Sequence, residues 1–573
     1  MMRRLLLLEA MLFVFLAFLG CRLPTGTTGS GSSTGTSTKT PMTTEPPIMT
    51  SVPFTNLSTE FQSEECGEAI DFYYFEDKPE IPHVDIAEFV ALLKGLLDPS
   101  IKVTVEDEDA VKVWVYHQYT PQEMEKYGLT SSFFTTYATF HFDDQTVMAP
   151  NVDAFDAFSG ETETDFSEGL TVVESTIEPE PPFLADVAAY GFSFHHLEGE
   201  TDKYLIPLSL ANLFLTGSMY DVSPNWDEDS EGYRLYGFDT YQYYDIPGVL
   251  TDEDPDNDAL YDIIAGYDDS SVALRTETVN FLAFAFDHFY GLKEYREITD
   301  FREYAWDYFP TLLEFAFLGH LNDFVESFQD GHTSLVSAGR MNPDYEPYQS
   351  WFDLPEYLKE RYGAYEDCGC ALREADFELT FSGSAALLRI SSFGTEDFKD
   401  RLSPLMEEIR EAEVDKVILD LTCNSGGVIA NVLTLLNYLT NENIGLYSST
   451  DGANMAYVYD VEGDLVLSAG FYILTSEWTY SAANLFAALA REMGLAQTVG
   501  TPTGGGACSI QALVLPNGSL LVMSSKTNLT DSTFATLEEG VEVDIPLDWG
   551  DYDAFPDLDE LLGVIAGDTD SAS

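Results

Sequence analysis

Ser481 and His332 are the two residues of this chain whose types and settings could form a nucleophile and its base. Ser481 follows the apolar run Phe471–Thr475 and the turn Ser476-Glu477-Trp478-Thr479-Tyr480. It opens Ser481-Ala482-Ala483-Asn484, a segment that continues at helical spacing to about Met493. A hydroxyl at a helix N-terminus lies where the macrodipole and free N–H groups favour an oxyanion. Serine is also a preferred N-cap, and the position alone does not choose between the two roles. His332 stands in Gln329-Asp330-Gly331-His332-Thr333, where Asp-Gly predicts a turn after a helical segment over Thr311–Phe328. An imidazole within hydrogen-bond reach of a serine hydroxyl takes its proton during attack.

A third segment, Asp420-Leu421-Thr422-Cys423-Asn424-Ser425-Gly426-Gly427, ends a strand and precedes a helix predicted over about Val428 to Leu439. Its glycines let backbone N–H groups approach a ligand, because no side chain stands in the way. The other candidates read as structural. His288 and His320 fall inside helical segments, and His195-His196 has no partner at metal-ligand spacing. Cys368-Gly369-Cys370 reads as loop thiols or a local disulfide, with Cys66 able to pair with either cysteine. No metal or cofactor is expected.

The elements that must position these residues are α/β in pattern. A strand over Ala385–Ile390, an amphipathic helix over Phe398–Ala412 and a strand over Lys416–Leu421 form a βαβ unit, and Phe471–Thr475 with the helix after Ser481 repeats it. Upstream, apolar positions recur at helical spacing over Thr278–Phe289 and Thr311–Phe328. Earlier still, Ile81–Phe89 and Ile206–Phe214 repeat one short pattern, each a strand end entering a short helix. Alternating segments such as Lys112–Tyr116 and Ala138–Phe142 read as half-buried strands. An α+β accessory domain is the expectation for this region.

Composition bounds the function. The chain has 573 residues, too many for one core, and 26 Lys+Arg against 99 Asp+Glu give a formal charge of -73. Such a field repels phosphate backbones and anionic lipid alike, which excludes nucleic acid as a partner. Met1-Met2-Arg3-Arg4 and the apolar run to Gly20-Cys21 have the layout of an export signal. Phe18-Leu19-Gly20-Cys21 resembles a bacterial lipobox, which implies lipid attachment at Cys21 and an extracytoplasmic, lipid-anchored or alternatively secreted location. Residues 22–64, rich in Thr, Ser, Gly and Pro, are expected to be a disordered tether.

Three segments together resemble the tail-specific (carboxyl-terminal processing) protease family, peptidase S41. They are Asp330-Gly331-His332-Thr333, Asp420 to Gly427, and Ser481-Ala482-Ala483-Asn484 followed by Val499-Gly500-Thr501-Pro502-Thr503-Gly504-Gly505-Gly506. The resemblance extends over about Asp252 to Leu547. It implies a ClpP/crotonase-like α/β core preceded by a helical subdomain. It divides the chain into a signal peptide (1–21), the linker (22–64), the accessory domain (65–250), a helical subdomain carrying the histidine loop (251–370) and the peptidase core (371–573). Many members pair the serine with a lysine in the segment that reads Thr503-Gly504-Gly505-Gly506 here. Without that lysine, the chain is similar to the tricorn-like and retinoid-binding-protein-like branch, where histidine is the base.

The implied site is Ser481 as nucleophile, His332 as base, and an oxyanion hole from the Ala482 N–H and one from Gly426-Gly427. The family position three residues after the serine is often glutamate and is Asn484 here. The third member is assigned to Glu539 by resemblance to a C-terminal family stretch, with Glu538 and Glu542 as alternatives. About fifty residues separate His332 from the Ala385 strand, fewer than the roughly 80–100 of a small domain, so no inserted PDZ domain is expected. The implied function is an extracytoplasmic serine peptidase acting on protein or peptide. The alternative is a non-catalytic peptide- or ligand-binding protein on the same fold.

Overall fold

The strands expected around the serine form the centre of a parallel sheet in the computed structural model. The structure describes residues 49–56, 67–225, 232–237, 271–335, 376–547 and 558–567, apart from short stretches inside these ranges. The signal segment with Cys21, most of the tether, Cys66 and Cys368-Gly369-Cys370 lie outside the described residues. Ala385–Ile390, Lys416–Asp420, Gly470–Thr475 and Ala496–Gly500 run parallel, in the register Leu388↔Leu419, Leu419↔Ile473 and Ile473↔Thr498. Parallel strands need crossovers, and the helices Phe398–Glu411 and Ala482–Glu492 supply two of them.

Period-two alternation divides this sheet between two cores. Ala386, Leu388 and Ile390 pack with Leu402 and Met406 of the first crossover helix and Phe486 of the second. Ala385 and Leu387 face the other way, with Ile418, Leu474 and Val499, onto Leu558 and Leu561 of a C-terminal helix. A strand buried on both faces reads as a continuous apolar run, which is why Lys416-Val417-Ile418-Leu419 was legible.

A second sheet carries the histidine loop. Ser334–Leu335, directly after His332 and Thr333, pairs antiparallel with Val522 and Leu521 of the strand Leu520–Thr530. At the far edge of this sheet, Thr171–Ile177 pairs with Ala453–Asp460, so a strand from the N-terminal half completes a sheet of the C-terminal half.

In the N-terminal half the two copies of the repeated pattern are neighbours. Lys78–Asp85 leads into the helix Ile86–Leu92, Lys203–Pro207 into Leu208–Thr216, and the two strands pair antiparallel with Ile206 opposite Val84. Asp85 caps its own helix through the Glu88 N–H and accepts from the Tyr204 N–H of the second copy at 2.9 Å.

Two boundaries differ from expectation. Met49–Asn56, inside the stretch read as a tether, is a strand paired along its length with Ala69–Phe75. Its own apolar content is low, but an existing sheet edge satisfies its backbone groups, which composition does not reveal. Among the described residues, the helices Val272–Phe289, Phe301–Tyr308 and Phe317–Glu326 contribute to a shared core. Phe281, Phe284 and Phe324 belong to one apolar cluster with Phe140 and Phe214 of the accessory region and Leu521 and Met523 of the second sheet.

Candidate active site

The serine sits on a turn that only a strong local framework holds. Ser481 has φ 53 and ψ −121, is 5% exposed, and stands at the N-cap position of Ala482–Glu492 without its side chain bonding that helix. A capping serine adopts extended backbone and accepts from the first turn. Ser481 does neither, so capping does not account for it. A non-glycine residue at such a φ costs of order 1–3 kcal/mol and persists where its surroundings over-determine it.

Those surroundings are short side chains and backbone. The Ser476 hydroxyl donates to the Thr422 carbonyl, and the Thr479 hydroxyl donates to the Leu421 carbonyl at 2.8 Å. The Tyr480 N–H donates to the Asn424 carbonyl at 3.1 Å, and the Ser481 N–H to the Gly505 carbonyl at 2.8 Å. The serine turn is thus tied to the Asp420–Gly427 loop on one side and to the glycine triplet on the other.

Gly426 is required by contact. Its φ is +113, and a Cβ there would stand 2.7 Å from Ser481 Cβ and 3.0 Å from the Ala482 nitrogen. The Gly426 N–H itself is taken by Asn424 Oδ1 at 2.9 Å, while Asn424 Nδ2 donates to the Ile390 carbonyl. Gly427, at φ +134, packs so closely on Phe393 and Gly394 that a Cβ would come within 2.1 Å of the Gly394 nitrogen. Of the two glycines, Gly427 is the one whose N–H has no acceptor among the described residues.

His332 is 3% exposed, and its imidazole meets the ring of Tyr480 edge-on, with centroids 4.9 Å apart. The imidazole thus lies against Tyr480, the residue that precedes the sequence-predicted serine. Asp330 holds the histidine loop. Its Oδ1 accepts from the His332 N–H at 3.0 Å and its Oδ2 from the Thr333 hydroxyl at 2.5 Å, and Thr333 Oγ1 accepts from the Ser524 N–H.

The glutamates behave differently from expectation. Glu539 is exposed, with no hydrogen bond to the site. Glu538, one residue earlier, turns inward, where its Oε2 accepts from the Ala507 N–H at 2.7 Å, next to the glycine triplet. The Glu538 carbonyl lies over Gly505, where a Cβ would come within 1.8 Å. Asn484 is 1% exposed and acts as a clamp. Its Nδ2 donates to the Leu537 carbonyl at 3.0 Å, and its Oδ1 accepts from the Thr503 hydroxyl, which in turn accepts from the Val541 N–H.

Two cysteines border the site. Cys423, in the loop below Gly426, is disulfide-bonded to a partner outside the described residues. Cys508 is free and buried; burial first, then Glu538 and Asp330, pushes its thiol well above the usual range. The one three-residue grouping of potential metal ligands among the described residues, His141, Asp143 and Asp144, belongs to the accessory region and contains none of these site residues.

Sequence reasoning singled out Ser481, His332 and the Gly426-Gly427 pair as candidates. It missed Tyr480, Asp330 and Thr503, whose roles rest on contacts between distant segments.

Comparison with known proteins bears on this arrangement. Residues 384–547 match the family model described as peptidase family S41. Among solved structures the chain is similar to the photosystem II D1 C-terminal processing protease, at 14% identity over 31% of this chain and 49% of that one, with a TM-score of 0.28. The match thus spans about half that protein's length. It is also similar to mature CPAF, at 11% identity over 52% of this chain and 99% of that one, TM-score 0.38. A lipoprotein from Streptococcus agalactiae matches at 12% identity over 52% and 96%, TM-score 0.32.

Proposed function

We propose that this chain, whose residues 384–547 are a serine-type peptidase domain of family S41, hydrolyses peptide bonds by a Ser-His mechanism outside the cytoplasm. The observation that carries the reading is Ser481 at φ 53, opening a helix it does not cap, beside a tyrosine whose ring touches His332. A strained serine between strand and helix presents its hydroxyl to substrate and leaves the Ala482 N–H, which has no acceptor among the described residues, for developing charge, while the Ala483 N–H donates to the Tyr480 carbonyl.

In this mechanism Ser481 Oγ attacks the scissile carbonyl while the His332 imidazole takes the hydroxyl proton. The Ala482 and Gly427 N–H groups receive the oxyanion. Collapse of the tetrahedral intermediate breaks the C–N bond, and His332 returns the proton to the departing amine. Water, deprotonated by the same imidazole, then releases the acyl group from Ser481. Of the candidate glutamates, Glu538 rather than the exposed Glu539 is the one proposed to bear on the site. The four parallel strands with their crossover helices fit the ClpP/crotonase-like core that the sequence resemblance implies.

The extracytoplasmic location is supported by the Cys423 disulfide, since disulfides persist in oxidising compartments. Among the described residues no helix is long and apolar enough to cross a membrane, and attachment through Cys21 is the proposed anchor. Hydrolysis of an unstructured protein such as casein, lost in Ser481→Ala and in His332→Ala with folding retained, tests the activity. Equal hydrolysis by the variants rejects it. Incorporation of an alkyne-labelled fatty acid, abolished by Cys21→Ala, tests the anchor.

A further inference from the structure

From the contacts that join the three motif segments, we infer that Tyr480 is the positioning residue for the His332 imidazole; its catalytic meaning rests on the Ser-His reading above. The backbone of Tyr480 is fixed by the two loops that frame the serine. Its N–H donates to the Asn424 carbonyl, and it forms an isolated parallel bridge with Gly505. From that fixed origin its side chain, 8% exposed, runs between the glycine triplet and the histidine loop.

Two glycines make room for the ring. A Cβ on Gly506 would stand 2.3 Å from Tyr480 Cζ, and a Cβ on Gly331 would stand 2.7 Å from the phenol oxygen and 2.8 Å from Cζ. Gly506 also has φ +78, a conformation that favours glycine in its own right. Gly331 is not among the residues with positive φ. The glycine of Asp-Gly-His-Thr is therefore present because the Tyr480 ring occupies the space of a side chain.

The other holds on this loop act around the histidine backbone. Asp330 binds the His332 N–H and the Thr333 hydroxyl, and Ser334–Leu335 is fixed by its strand partner. They place Cα of residue 332, and contacts of the ring itself bear on its two side-chain torsions. The Tyr480 ring touches it at a 64° interplanar angle, within the edge-to-face geometry aromatic pairs favour. Because Tyr480 and Ser481 are adjacent, any shift of the serine turn carries the imidazole's support with it. Nucleophile and base then move as one unit.

A buried aromatic that merely fills space would make the same contacts, so the test needs a readout that packing alone does not move. In the full chain, Tyr480→Phe, Tyr480→Leu and Gly331→Ala are compared for kcat, KM, the pH dependence of kcat/KM and the histidine ring-proton resonances. The chain has 8 histidines, and His332→Gln assigns the resonance of interest. Tyr480→Phe keeps the ring and is expected to keep kcat, the pH profile and the His332 resonance. Tyr480→Leu is expected to lose about 10- to 100-fold in kcat, the scale of a misplaced reacting group. Its KM stays unchanged, while the acid limb of the profile and the His332 resonance both move.

If Tyr480→Leu does not fold, Gly331→Ala, which pushes on the ring from the loop side, is expected to move the same resonance and limb. An unmoved His332 resonance in the folded leucine or alanine variant overturns the inference, whatever the activity. A moved resonance in a protein without peptidase activity supports the positioning contact and instead removes the peptidase reading.

Discussion

Gly426→Ala places one methyl group against Ser481, the proposed nucleophile, and its cost can be worked from the structure. The new Cβ would stand 2.7 Å from Ser481 Cβ and 3.0 Å from both the Ala482 nitrogen and the Tyr480 carbonyl oxygen. Carbon atoms in contact sit at about 3.5–4.0 Å, so the serine turn or the glycine loop must retreat by about 1 Å. A displacement of about 1 Å at reacting groups costs on the order of 10²-fold, and obstructing one oxyanion donor costs a similar factor. The expected loss in kcat/KM is therefore about 10²-fold, or about 2.7 kcal/mol of transition-state stabilisation. Alanine at φ +113 adds about 1–3 kcal/mol of strain to the fold. Gly383→Ala is the control, because Gly383 also has positive φ and a Cβ there meets nothing within 4 Å. It pays the backbone cost without touching the site. Urea unfolding, kcat/KM on a peptide substrate and the rate of fluorophosphonate labelling separate the two effects. Both variants should lose stability, and only Gly426→Ala should lose activity. A folded Gly426→Ala protein with kcat/KM within about threefold of the parent would refute the assignment of this contact to the site.

The neighbouring glutamates should separate cleanly. Glu538→Gln is expected to lower kcat about tenfold or more by weakening the charge-assisted bond to the Ala507 N–H, while Glu539→Gln leaves it unchanged, as steady-state kinetics would show. Asn484→Ala removes two buried hydrogen bonds and leaves the Thr503 hydroxyl proton without its acceptor, while the Leu537 carbonyl keeps the Gly540 N–H, so denaturant unfolding should show a loss of about 1–3 kcal/mol. Glu277 is buried, and burial, against the opposing pull of Lys78, raises its carboxyl from 4.5 to about 7. The folded state therefore favours the protonated form. That contribution is fully present below pH 4.5 and is lost as pH rises to about 7, at a cost of about 3 kcal/mol. Glu277→Gln should raise the melting temperature at pH 8 relative to the parent and leave it nearly unchanged at pH 4.

How much of this could be read beforehand depended on whether a signal was local. Val417-Ile418-Leu419 announced a buried parallel strand because both its faces are covered, and the stripe Phe398, Leu402, Met406 and Ile409 announced one helical face. Ser481, His332 and the Gly426-Gly427 pair were legible because turn chemistry marks them. The contact that joins them was not. Tyr480 meets residues about 150 positions upstream and 26 downstream, at Gly331 and Gly506, and no spacing rule connects them. Among the candidate glutamates, which side chain faces inward was not legible: Glu538 accepts from the Ala507 N–H and Glu539 is exposed, in a turn with Gly540 at φ +85. Met49–Asn56 looked like tether because its partner strand, not its composition, makes it a strand.

The central claim is that Ser481 and His332 form one activated pair. Its most direct test is fluorophosphonate labelling of the folded full chain, with the labelled peptide identified by mass spectrometry, in the parent, Ser481→Ala and His332→Ala proteins. Labelling at Ser481 that is abolished in the first variant and slowed by about 10²-fold or more in the second is the predicted result. A folded parent that takes no label, or a His332→Ala protein that labels at the parent's rate, would contradict it.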